Sequence, residues 1–189
     1  DVCSSDLEPA SEKEAAAQDE AAAAEPAAEH PAKKEPKERT FVVGSPMAEV
    51  LRASLEKIKA SDVHARLGLT RGRYILLSAH REENIDTDCN FIQLLTAVNA
   101  MAETYNMPIL YSCHPRSRKR LEATGFQLDT RVIAHEPLGF LDYNCLQMNA
   151  FAVVSDSGTL PEESSFFLSV GKPFPAVSIR TSTERPEAL

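Results

Sequence analysis

From Thr40 onward the apolar residues follow two alternating rhythms. Short unbroken runs, Tyr74–Ser78 (Tyr-Ile-Leu-Leu-Ser), Pro108–Ser112, Phe151–Ser155 and Ala176–Ile179, have the length and composition of parallel strands buried on both faces. Val132 and Ile133 form a shorter run of the same kind, and so does Phe41–Val43, closed by Gly44-Ser45-Pro46. Between the runs the period lengthens. Met47, Val50, Leu51, Leu55 and Ile58 recur at three- and four-residue steps and predict a helix over Met47–Ala60. Phe91–Tyr105 repeats the pattern through Phe91, Leu94, Leu95, Val98 and Met101. Ser117–Thr124, ended by Gly125, Asp142–Asn149 and Leu160–Phe167 read as three more helices, and His80–Asp88 as a polar loop.

Strand and helix thus alternate about five times with short connections. This pattern predicts an α/β fold, an open parallel sheet with helices on both faces. Ligands of such sheets bind outside the carboxyl ends of the strands. His80 follows the first long run, His114 the second, Asp156-Ser157-Gly158 the third and Arg180 the last. The residues with useful chemistry are therefore expected along one edge.

Composition separates this body from what precedes it. Residues 8–39 contain 11 Ala, 8 Glu and 4 Pro and no Val, Ile, Leu, Met, Phe or Tyr. Such a stretch cannot bury enough apolar surface to offset its ordering entropy, so residues 1–39 are expected to be a disordered tail. Residues 1–7 match no structural pattern and resemble translated sequencing adapter, a start expected to be non-native. Residues 40–189 form the folded body. Residues 1–39 hold 11 acidic and 5 basic residues, a net of −6, so of the chain's −8 only −2 remains for the body. A neutral body with an acidic tail argues against nucleic acid as a partner. No run of eighteen apolar residues is present and no basic segment leads into an apolar one, so neither a membrane span nor a secretory signal is expected. Cys3, Cys89, Cys113 and Cys145 lack zinc-type spacing. They fit a reducing cytoplasm, with the thiols acting as small hydrophobes and no metal site.

Four segments could carry chemistry. Ser78–Asn84 packs an imidazole, a guanidinium and two carboxylates after a strand; it reads as a solvated connection or as one wall of a site. His114–Arg120 holds four cations within five residues, either an exposed basic helix face or an anion trap near a helix start. Asp156-Ser157-Gly158-Thr159, with Glu162-Glu163 following, is a small-residue turn opening a helix. Such a turn offers backbone N–H groups to an anion, and a glutamate one or two turns on can accept from a sugar diol. Arg180–Glu187 mixes Arg, Glu and hydroxyl residues in a loop suited to phosphate and sugar. Neither a Walker A sequence nor Gly-x-Gly-x-x-Gly occurs, so triphosphate hydrolysis and nicotinamide binding lack support.

Taken together, Val42-x-Gly44-x-Pro46, Ala79-His80-Arg81-x-Glu83-Asn84, His114-Pro115, Pro137-Leu138, Asp156-Ser157-Gly158 with Glu162-Glu163, and Thr183-Glu184-Arg185-Pro186-Glu187 resemble the non-hydrolysing UDP-N-acetylglucosamine 2-epimerase family. The resemblance covers residues 40–189 and implies one Rossmann-like half of a glycosyltransferase-B-like fold. It implies a UDP-sugar substrate, no cofactor, a homodimer for the full-length family, and UDP elimination and re-addition that invert C2. By position, Ser157, Gly158 and Thr159 would meet the phosphates and Glu163 the ribose hydroxyls. Tyr143 would stack on uracil, Arg180 would lie near the pyrophosphate, and His80 and His114 would border the reacting sugar as the catalytic pair.

Finer details, including Pro137-Leu138-Gly139-Phe140-x-Asp142-Tyr143-Asn144, resemble the branch that forms UDP-N-acetyl-L-fucosamine for capsule and O-antigen. Thr159 stands where the N-acetylglucosamine enzymes carry a second Gly. The family's N-terminal half, which supplies most acid/base carboxylates, and its closing helices have no counterpart here. The chain is therefore expected to be a fragment without turnover of its own. A UDP-sugar-binding remnant and a glycosyltransferase are the competing readings.

Overall fold

The computed structural model describes residues 44–180. The run at Phe41–Val43, the tail at 1–39 and the loop at Thr183–Glu187 lie outside the described residues. Five parallel strands, β1 (Ile75–Ser78), β2 (Ile109–Ser112), β3 (Val132–His135), β4 (Ala152–Ser155) and β5 (Ala176–Ser178), form one sheet in the order β3-β2-β1-β4-β5. The helices are α1 (Met47–Lys59), α2 (Val63–Leu67), α3 (Glu82–Ile85), α4 (Asp88–Tyr105), α5 (Pro115–Thr124), α6 (Phe140–Gln147) and α7 (Leu160–Ser169).

Alternation along each strand builds two cores. Tyr74 and Leu76, Leu110 and Val153 face α1, α2, α6 and α7, where Leu51, Ile58, Leu146 and Phe167 meet them. Ile75 and Leu77, Ile109 and Tyr111, and Val154 face the opposite way onto Phe91, Leu95, Val98 and Ala102 of α4. Each Leu, Ile, Val or Phe buried this fully contributes about 1.5–3 kcal/mol. Helices cover both faces, as the periodicity predicts. Cys113 and Cys145 sit in these cores as small hydrophobes, whereas Cys89 is exposed at the start of α4. Among the described residues no helix is long and apolar enough to cross a membrane.

Three local features differ from the sequence expectation. The polar stretch after β1 contains a helical turn, α3, because Ile85 plugs the α4 core at 2% exposure and Glu82 and Glu83 favour a helix start. Helix α2, too short to show a period, is held by buried Val63 and His64 and ends on Gly68 in the left-handed conformation (φ 63°). Helix α5 begins at Pro115 rather than Ser117: proline's fixed φ suits the first helical position, and the His114 side chain accepts from the Arg116 N–H.

The strand order reverses between β1 and β4, the place where open α/β sheets form a ligand crevice. The register brings Ser78 opposite both Ser112 and Ser155. All three serines point toward the face that carries α6 and α7.

Candidate functional site

The two loops flanking the reversal are tied together by one carboxylate. Asp156, 2% exposed, uses Oδ2 to accept from the His80 N–H (2.8 Å), the Arg81 N–H (2.8 Å) and Asn84 Nδ2 (3.0 Å). Asn84 also donates to the Ile179 carbonyl (3.2 Å), and the Ile179 N–H donates to Ser155 O (3.0 Å). The ends of β1, β4 and β5 are thereby fixed relative to one another, and Arg180 follows directly from this junction. Asp156, expected as part of an anion-binding turn, is the clamp that sets the path of the His80 loop.

His80 and His114 meet edge to face with ring centroids 6.2 Å apart. Nδ1 of His114 accepts from the Arg116 N–H at 3.4 Å, so the neutral ring carries its proton on Nε2. Partial enclosure pushes the His80 imidazole below its ordinary pKa; Asp156 opposes this and His114 adds to it. At neutral pH His80 is thus an uncharged imidazole. An open cleft of about 530 Å³ lies beside it, lined by His80, Arg81, Glu82 and Glu83, a volume suited to a small molecule.

On the other side of the reversal, α7 and α6 build a continuous polar line. The Ser157 hydroxyl lies 2.9 Å from Thr159 Oγ1, which donates to Glu163 Oε1 (2.8 Å), while Gln147 Nε2 donates to Glu163 Oε2 (2.7 Å). The Ser157 N–H donates to Ser155 Oγ (3.0 Å), and the Thr159 N–H returns to Ser157 Oγ (3.3 Å). Ser157, Gly158, Thr159 and Glu163 therefore occupy one short stretch of turn and helix. Tyr143 is half-buried, packs against the core beneath α6 and reaches Ser78 and Ser155, within the field of the Glu163 carboxylate. Burial, aided by the Glu163 charge, pushes its phenol up to about 12. Glu162 points elsewhere: its Oε2 accepts from the Ser45 hydroxyl at the entry to α1.

The structure thus joins the expected residues into two groups, His80 with His114, and Ser157, Gly158, Thr159 and Glu163 with Tyr143. Asp156 links them. Gln147 was missed, although it lies four residues after Tyr143 on the same face of α6, and that spacing was the available signal.

The cations of α5 belong to a different arrangement. Arg116 pairs with Asp86 (2.6 Å), Arg120 pairs with Asp88 (2.6 Å) and lies over the Phe91 ring, and Arg118 donates to the Ala134 carbonyl (3.1 Å). These three brace α5 against the start of α4 and against β3, which favours the helix-face reading over the anion trap.

Residues 15–189 match the family described as UDP-N-acetylglucosamine 2-epimerase, a match that enters the Ala/Glu/Pro segment as well as the body. A UDP-N-acetylglucosamine 2-epimerase of Methanococcus maripaludis is 31% identical over 162 residues, covering 80% of this chain and 42% of that protein. Among solved structures, the UDP-N-acetylglucosamine 2-epimerase of Rickettsia bellii superposes with a TM-score of 0.67 at 41% identity, over 80% of this chain and 38% of the other. The enzyme of Methanocaldococcus jannaschii, solved with UDP-GlcNAc and UDP, gives 0.67 at 29% identity, over 78% and 41%. The chain spans about two fifths of the length of the curated relatives it matches.

Proposed function

Because this chain belongs to the UDP-N-acetylglucosamine 2-epimerase family, we propose that residues 40–189 are the UDP-binding half of an enzyme that inverts C2 of a UDP-linked N-acetyl amino sugar. The observation that carries this reading is the line Ser157–Thr159–Glu163 beside Tyr143 at the strand-order reversal. The first turn of α7 and the Ser157 and Thr159 hydroxyls receive the diphosphate, with Arg180 nearby. Glu163 holds the ribose 2′ and 3′ hydroxyls and Tyr143 lies against uracil.

In the reaction, removal of the C2 proton and departure of UDP from C1 leave a glycal, and re-addition with protonation on the opposite face inverts C2. A preorganised diphosphate site stabilises the leaving group. His80, uncharged at neutral pH, and His114, with its Nε2–H, border the sugar and can exchange protons with it. The segments of Thr159 and of Pro137–Asn144 support a 2,6-dideoxy talose-type sugar, as in the UDP-N-acetyl-L-fucosamine branch of capsule and O-antigen synthesis in the cytoplasm.

A binding titration and an isotope-exchange assay test the reading. The 189-residue chain should bind UDP, and Glu163→Gln should weaken that binding about ten- to a hundredfold. In deuterated water the same chain, which spans about two fifths of its relatives' length, should leave C2 of a UDP-sugar unlabelled. Failure to bind UDP would refute the site, and deuterium at C2 would refute the need for a second half.

A further inference from the structure

We propose that Gln147 is a positioning residue for the nucleotide: it holds the Glu163 carboxylate in the orientation that accepts the ribose diol. The inference rests on the reading of Glu163 given above and adds a residue to it. Gln147 is 0% exposed at the end of α6, and its Nε2 donates to Glu163 Oε2 at 2.7 Å. Its other polar atom, Oε1, is buried with no hydrogen-bond partner among the described residues.

A side chain needed only to fill space here would be served better by leucine or methionine, since a buried carbonyl left unpaired destabilises the fold. What the amide adds is one neutral donor on one carboxylate oxygen. Thr159 supplies the second donor on Oε1 at 2.8 Å, so the carboxylate is fixed from both sides. Each oxygen keeps a further lone pair for an incoming hydroxyl. Neither donor carries charge. An arginine or lysine in place of Gln147 would compete with the ligand for the carboxylate; an amide orients it and leaves its charge in place. The spacing supports the assignment, because Gln147, which bonds Glu163, lies four residues after Tyr143 on α6, and the Glu163 charge is close enough to act on the Tyr143 phenol.

The test is calorimetry of the full chain with UDP and with 2′-deoxy-UDP. Gln147→Met keeps the volume and removes the donor. It should weaken UDP binding about tenfold and 2′-deoxy-UDP binding by clearly less. Combined with Glu163→Gln it should cause no loss beyond that of Glu163→Gln alone. Gln147→Glu sets a second carboxyl against Glu163; it should bind UDP weakly at pH 8 and recover relative to the parent at pH 5.5, where a shared proton restores the donor. Equal losses for both nucleotides, additive losses in the double variant, or no acid recovery would each overturn the role of Gln147. If Glu163→Gln itself left UDP binding unchanged, the ribose site would fall, and Gln147 with it.

Discussion

The Asp156 carboxylate and the Asn84 amide, 72 residues apart in sequence, meet at 3.0 Å across the point where the strand order reverses. Two motifs separate in the sequence are thus halves of one junction. The same carboxylate oxygen also receives the N–H groups of His80 and Arg81, so the position of the His80 ring depends on a residue of β4's following turn. Asp156→Ala would leave three donors without their acceptor, and a cost of about 2–4 kcal/mol is expected in chemical denaturation. Asn84→Ala should cost less, and the double variant should fall short of the sum by about 0.5 kcal/mol or more. Strict additivity would mean that the two residues act independently.

The core on the α7 side gives a second expectation. Leu76 is fully buried in β1, between β2 and β4, with side chains of α1 and α7 in the same cluster. Leu76→Ala should cost about 2–5 kcal/mol of stability. A loss under 1 kcal/mol would show that the face is not packed as described.

Acid should weaken the fold through His64. Its Nε2 meets the Tyr74 hydroxyl at 3.0 Å, Tyr74 donates to the Leu146 carbonyl at 2.6 Å, and Cys145 Sγ lies 3.9 Å from Nδ1. Tyr74 spends its proton on Leu146, so Nε2 donates to the tyrosine hydroxyl. Burial first, and Arg71 second, lower the His64 pKa from 6.5 in the folded chain. Below the unfolded value the unfolded state binds more protons, so stability falls as pH drops through that range. His80 is shifted the same way and adds to the slope. The unfolding midpoint should be lower at pH 5.5 than at pH 7.5, and His64→Gln should flatten part of that difference. An unchanged slope in the variant would contradict the assignment.

The α5 cations should matter little to the ligand. Arg116 is engaged by Asp86, so Arg116→Ala should change UDP affinity by less than about twofold. A tenfold loss, the scale of a phosphate contact, would revive the anion trap.

Much of this was legible in the sequence for physical reasons. Strands such as Tyr-Ile-Leu-Leu-Ser are apolar on both faces because helices cover both, and that produces unbroken runs. The residues after those runs had to meet at one edge because parallel strands end together. What local pattern could not reveal was pairing across the fold. The charges of α5 left a basic helix face and an anion trap both open because their partners, Asp86 and Asp88, lie some 30 residues away in sequence. Four-residue α3 is stabilised by the burial of Ile85 and has no period to detect. Gln147 looks like any polar residue in an amphipathic helix until Glu163 is seen beside it.

UDP is proposed to lie across the first turns of α7, and a crystal structure of the chain with UDP tests this most directly. The diphosphate should sit at Ser157–Thr159, with the ribose 2′ and 3′ hydroxyls within hydrogen-bond distance of the Glu163 carboxylate and Gln147 still donating to Oε2. Density for the nucleotide against α5, or a ribose turned away from Glu163, would contradict the account.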